Sequence, residues 1–217
     1  QSRYAKMANT GIDAVHWTNG FWGERFNVFS GTSLQSMWNT WNTPEVSHGF
    51  RNFEIAAGVC KGEHWGPPFH DGDMYKWMEG VASVYAVNKD PELDKLMDNF
   101  IACVVKAQRA DGYIHTPVVI EELNKGIDSH TLADSQQQTV IGTKVGSEDE
   151  KGAFANRLNF ETYNLGHLMM AGIVHHRATG KTTLLDAALK ATDFLCHFYE
   201  TASAELARNA ICPSHYM

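Results

Sequence analysis

The chain has 217 residues, 43% hydrophobic and 20% charged, with a net charge of −7. That balance belongs to a folded globular protein and excludes a disordered one. Lys and Arg are nowhere clustered, which argues against nucleic acid and anionic membrane surfaces as partners, and no apolar run approaches the roughly 20 residues that cross a bilayer. No nucleic-acid or membrane partner is therefore expected.

In chain order, "GERFNVFSGTSLQSMWNTWN" and "GFRNFEIAAGVC" predict a longer and a shorter helix. "DMYKWMEGVASVYAV", Asp73 to Val87, predicts a helix that is apolar on most sides. "PELDKLMDNFIACVVKAQ" places Leu93, Leu96, Met97, Phe100, Ile101, Val104 and Ala107 on one stripe, the 3.6-residue period of an amphipathic helix. Pro91 suits its first turn and "ADG", ending at Gly112, stops it. "GYIHTPVVI" alternates as a strand or extended arm, and the polar, aperiodic stretch at 122–156 reads as a long surface excursion. Tyr163 to Ala178 predicts a second broadly apolar helix. "TTLLDAALKATDFLCHFYE" predicts an amphipathic one with Leu184, Leu185, Ala188, Leu195 and Phe198 inward.

The two helix pairs form an internal repeat at an offset of 91, pairing Asp73 with Asn164, Trp77 with Leu168, Gly80 with Ala171 and Leu93 with Leu184. A buried helix followed by an amphipathic one, repeated, is the pattern of an α/α toroid. Gly80, Ala82, Gly166, Ala171 and Gly172 are small enough to allow close helix approach.

Cys60, Cys103, Cys196 and Cys212 form no C-x-x-C pair, and their gaps of 43, 93 and 16 match no zinc or haem signature. Cys103 and Cys196 fall among apolar helical residues and read as small core hydrophobes. Disulfides are not expected. A chain beginning at Gln1 is compatible with a processed form whose signal has been removed, the basis for expecting a periplasmic or secreted location.

Polar clusters stand at helix ends. In "HDGDMYKWMEG", Asp73, Lys76 and Trp77 share a helix face, either as a solvated helix start with a core Trp or as the wall of a site. Asp71 or Asp73 is an N-cap candidate. An extended "DGYIHT" turns Tyr113 and His115 to the same side. Tyr163, Asn164 and His167 share a face at the start of the second apolar helix, as a buried hydrogen-bonded network or a ligand-binding rim. His175 and His176 read as a helix C-terminal pair favoured by the dipole. The 24 aromatic residues suit either a large core or the apolar faces of sugars.

"FWGERF", "DMYKWMEG…PEL…QRADGYIHT" and "ETYNLGHLMMAGIVHHRATGKTTLLDAALKATDFL" together resemble glycoside hydrolase family 127, the β-L-arabinofuranosidase-like enzymes. The family pattern reads D-x-x-K-W-L-E-A, Q-x-x-D-G-Y-L-x-T, then H-E-L-Y-x-x-G-H followed by A-T-G-K and L-L-D, and the matches run from Phe21 to about Leu195. Phe160 stands where the pattern has its first His. The resemblance implies an all-α, (α/α)6 barrel of which residues 1–217 supply about the first half, with a site in one mouth. It also implies retaining, exo-acting hydrolysis of polysaccharide side chains, with Asp73, Lys76, Trp77, Tyr113, His115, Tyr163, Asn164 and His167 near the sugar. It implies a zinc-bound thiolate nucleophile and a glutamate acid in the complete enzyme. These are expected beyond this chain, so no catalytic residue and no metal ligand is assigned within it. The remaining half of the barrel is the expected partner. A sugar epimerase, a uronyl hydrolase or a non-catalytic carbohydrate-binding toroid are the alternatives on the same fold.

Overall fold

A computed structural model describes residues 3–4, 6–126, 154 and 157–210. Most of the 122–156 excursion, and Cys212, lie outside the described residues. Among the described residues there are helices and no strands: α1 (Gly20–Val28), α2 (Leu34–Trp41), α3 (Gly49–Ala56), α4 (His70–Asn88), α5 (Pro91–Ala107), α6 (Thr116–Asn124), α7 (Glu161–Thr179), α8 (Thr183–Thr201) and α9 (Ala204–Ala210).

The predicted longer helix is α1 running on into α2 through one π-helical turn, Phe29–Ser33, with helical backbone on both sides. Its sequence is the cause. "FSGTS" offers a glycine and hydroxyls that compete for backbone acceptors, and Ser30 and Ser33 both reach carbonyls of the preceding turn at 3.4 Å. The wide turn brings Phe29 against α4, where a Cβ on Gly80 would stand 3.0 Å from its ring.

α4 and α7 bear out the repeat. Both ends of α7 lie 91 residues after those of α4, and the residues closing the two helices, Lys89 and Gly180, share the same offset and the left-handed conformation. Gly72 N–H meets the Asn164 side chain at one end and the Lys89 ammonium meets the Ala178 carbonyl at the other. The two helices are therefore parallel.

α4 packs between α2 and α7, while α5 packs between α3 and α8 in a second row behind them. Each of the three successive pairs, α2/α3, α4/α5 and α7/α8, contributes one helix to each row. This alternation is that of a partial (α/α)6 toroid. Between the rows lies an aromatic core in which Phe53 meets Phe100 at 5.0 Å and Trp77 stacks on Trp38 at 5.0 Å. The α5 stripe is seated as its period requires, with Met97, Phe100, Ile101, Val104 and Ala107 buried.

Several expectations change. "TPVVI" is not a strand but the start of α6, with Pro117 in the first turn, and only Tyr113 to His115 is extended. Neither Asp71 nor Asp73 caps α4, whose N-cap position is Phe69. Cys196 is exposed rather than a core residue, because it falls on the outward side of α8. His175 is not a solvated dipole partner. It is fully buried, and burial lowers its pKa, so the imidazole is held neutral. Gly80 and Gly172 do sit at close approaches, to Phe29 and to α8, and Gly72, which was not singled out, sits closely against Asn164 and Tyr163 of α7.

Candidate functional site

The parallel arrangement places the N-terminal ends of α4 and α7 side by side, and most of the predicted site residues collect there in two layers.

The outer layer is a row of partly accessible side chains that ends on His167, which is buried at 8% exposure. Lys76 pairs with Asp73 at 2.8 Å and donates to the Tyr163 hydroxyl, lying 5.0 Å from the centre of that ring. Burial works to lower the Lys76 pKa, but the bonds to Asp73 and Tyr163 outweigh it and raise it, so the ammonium is fixed. The His167 ring stands edge-on to Tyr163 at 4.7 Å, and its Nδ1 lies 3.6 Å from Glu79 Oε1. Phe160, Phe69 and Tyr163 continue the row as edge-to-face rings, with Phe69 to Phe160 at 5.6 Å. Phe160 holds a left-handed backbone (φ 56°) that a β-carbon disfavours, and this turns the chain into α7.

The inner layer is enclosed. Asp71 is buried in the first turn of α4 and accepts from Thr116 N at 2.7 Å and Thr116 Oγ1 at 2.6 Å, with His115 Nδ1 at 3.4 Å. Burial works to raise the Asp71 pKa, but His115 and the two Thr116 bonds prevail and hold it low, so a full negative charge sits inside the protein. Asn164 accepts from Gly72 N and donates to the Pro68 carbonyl, both at 2.9 Å, locking α7 to α4 and to the loop before it. Tyr113 donates to Glu161, which also accepts from Phe154 N at 2.7 Å. Burial raises the Glu161 pKa. His64 stands near this layer, and burial, helped by His115, His70 and His48 and opposed by Asp71, lowers its pKa to about 4.

Asp73, Lys76, Tyr163 and His167 are thus brought together, and Asn164 braces them from behind. Tyr113 and His115 are both fully enclosed, as is Ile114 between them. Trp77 is 2% exposed, with its indole N–H on the Leu34 carbonyl at 3.3 Å. Tyr113 and His115 belong to the frame of the site rather than its surface, while Trp77, though nearly buried, also forms part of a cleft wall beside it. A cleft of about 270 Å3 opens beside the row, between Phe29, Leu34, Met37 and Trp41 on the α1–α2 side and Asp73, Lys76, Trp77 and Gly80 on α4. Sequence reading did not include Glu79 in the site, although it lies one turn beyond Lys76, on the same face.

Among the described residues no group of three or more His, Cys, Asp or Glu is placed to hold a metal ion. The zinc that the resemblance implies is expected outside this chain, and none of the chemistry below passes through it.

What this layer of groups offers is polar recognition: a fixed ammonium, a carboxylate, a phenol and an imidazole beside aromatic edges. Hydroxyls set around an apolar ring match it.

Residues 14–217 match the family described as β-L-arabinofuranosidase, GH127 catalytic domain. A non-reducing end β-L-arabinofuranosidase of Bifidobacterium longum is 32% identical over 149 residues, covering 69% of this chain and 19% of that protein. Among solved structures, a protein titled glycoside hydrolase is 68% identical, with a TM-score of 0.63 over 100% of this chain and 24% of its own. A GH127 β-L-arabinofuranosidase from Geobacillus stearothermophilus T6 is 32% identical, with a TM-score of 0.66 over 83% of this chain and 25% of its own. The chain spans about a fifth of the length of the curated relative and about a quarter of these solved structures. With nearly its whole length matched, the chain belongs to the GH127 β-L-arabinofuranosidase family.

Proposed function

We propose that this chain forms one side of the sugar-binding mouth of a glycoside hydrolase that removes terminal β-L-arabinofuranose, with retention, from polysaccharide side chains. The observation that carries the reading is the row Asp73–Lys76–Tyr163–His167, assembled from two parallel helices at one end of the fold. Lys76 and Tyr163 supply oriented donors, and His167 and Asp73 supply acceptors, for two or three adjacent hydroxyls. Asn164, His115 and Asp71 hold α4, α7 and the 113–116 segment in register beneath them. By resemblance, the nucleophile, the general acid and a zinc ion would lie in the remaining half of the barrel. Polymeric substrates of this kind lie outside the cytoplasm, and the reading accordingly places the protein in the periplasm or outside the cell. Proton NMR of a reaction on an aryl β-L-arabinofuranoside by the full-length protein tests this. Initial release of the β-anomer is expected, whereas initial release of the α-anomer, or no release, contradicts it.

A further inference from the structure

Across the α4–α7 seam His167, which the proposed function uses, faces Glu79, which it leaves without a role. Glu79, in the "KWMEG" turn, has an enclosed carboxylate oxygen, Oε1, with no hydrogen-bond partner among the described residues. His167, in the "LGH" turn, has an enclosed Nδ1 in the same state, and the two atoms are 3.6 Å apart. That is longer than a formed hydrogen bond, but the atoms are complementary, an acceptor and an imidazole nitrogen able to donate. Buried polar atoms without partners are unfavourable, and a small side-chain rotation satisfies both at once. The ring also stands against Tyr163 at 4.7 Å, a contact that leaves Nδ1 without a hydrogen bond.

We infer that Glu79 is a positioning residue: its carboxylate takes the Nδ1–H of His167 and so leaves Nε2 as a fixed acceptor for a sugar hydroxyl. This rests on the proposed sugar contact of His167 and adds what sets that contact. Which ring nitrogen carries the proton is decided by the bond the other one makes. An uncommitted imidazole favours the Nε2–H form, which would offer a donor, so the Glu79 contact inverts what the site presents.

The test uses the full-length protein with 15N-labelled histidine, the His167 signals being assigned by their loss in His167→Asn. Long-range proton–nitrogen correlation is expected to show Nδ1 protonated and Nε2 bare in the wild type. Glu79→Ala should move the ring towards Nε2–H and raise KM about five- to ten-fold, the share of one hydrogen bond. Glu79→Gln, which keeps an amide oxygen at the position, should retain both the tautomer and most of the KM. An Nε2–H ring in the wild type overturns the inference even if Glu79→Ala fails to fold. An unchanged tautomer in a folded Glu79→Ala overturns it as well. A tautomer shift with unchanged KM overturns the role in sugar recognition. A wild type inactive on furanosides but with the expected tautomer response supports the pair and removes the arabinofuranosidase reading instead.

Discussion

The amide side chain of Asn164 bridges two points of the chain more than 90 residues before it, accepting from Gly72 N and donating to the Pro68 carbonyl at 2.9 Å each. It is 1% exposed and stands one repeat length after Asp73. Where α4 carries a carboxylate paired with Lys76 at the mouth, α7 carries an amide turned into the seam. The two copies of the repeat have divided the work between recognition and bracing.

Removing that brace should be expensive. Asn164→Leu leaves a buried N–H and a carbonyl unpaired, each worth about 1–3 kcal/mol, so a loss of roughly 2–5 kcal/mol is expected in urea unfolding. A loss below about 1 kcal/mol would show that the two bonds contribute little.

Gly72 makes the same seam possible. A Cβ there would stand 2.7 Å from both Asn164 Oδ1 and the Tyr163 ring. Gly72→Ala should therefore force α7 away and destabilise the protein by about 1–3 kcal/mol, although α4 otherwise gains a better helix former. The melting temperature of the variant checks the sign. A rise contradicts the close approach.

Trp77 separates core from site. Fully packed against Trp38 and Phe100, it should cost about 3–5 kcal/mol as Trp77→Ala, while the milder Trp77→Phe should keep KM close to the wild-type value. A folded Trp77→Phe with a strongly raised KM would return the indole to the sugar site.

Stability should depend on pH through imidazoles that folding withdraws partly or wholly from water. The pKa of His64 falls from 6.5 to about 4 on folding, so between those values the unfolded state binds the proton more strongly. Its contribution is complete above about pH 6.5 and is lost as pH falls towards 4. His70 and His175, lowered by burial, act in the same sense, whereas buried Glu161, raised, acts in the opposite one. His64→Gln should flatten the curve of unfolding free energy over this range. An identical slope in the variant would show that His64 titrates normally.

The rows of helices were legible because burial imposes a period. The stripe from Leu93 to Ala107 and the contrast between α4 and α5 state which side of each helix is covered, and the offset of 91 is repeated by the helix ends themselves. The π turn was not legible, because a run such as "FSGTS" weakens a helix without saying whether it breaks or widens. Pro117 was misjudged because alternation over "GYIHTPVVI" mimics a strand, and a Pro in a first helical turn carries no periodicity of its own. At the site, shared helix faces grouped Asp73 and Lys76 with Trp77, and Tyr163 and His167 with Asn164; the structure keeps Asp73 by Lys76 and Tyr163 by His167 but buries Trp77 and Asn164. The joining of the two groups depends on α4 and α7 being neighbours, which local spacing does not encode. The depth of Tyr113 and His115 was hidden for the same reason: an extended segment shows which side chains point together, not what closes over them.

The measurement that tests the central claim most directly is kcat/KM of the full-length protein and its His167→Ala variant on an aryl β-L-arabinofuranoside, with the melting temperature followed in parallel. If the Lys76–Tyr163–His167 row binds the terminal sugar, kcat/KM should fall about ten-fold or more, as expected for a hydrogen bond to the reacting sugar, while the melting temperature moves by no more than a few degrees. An unchanged kcat/KM, or a variant that loses its fold while its remaining active fraction binds substrate as before, would place His167 in the core and contradict the account.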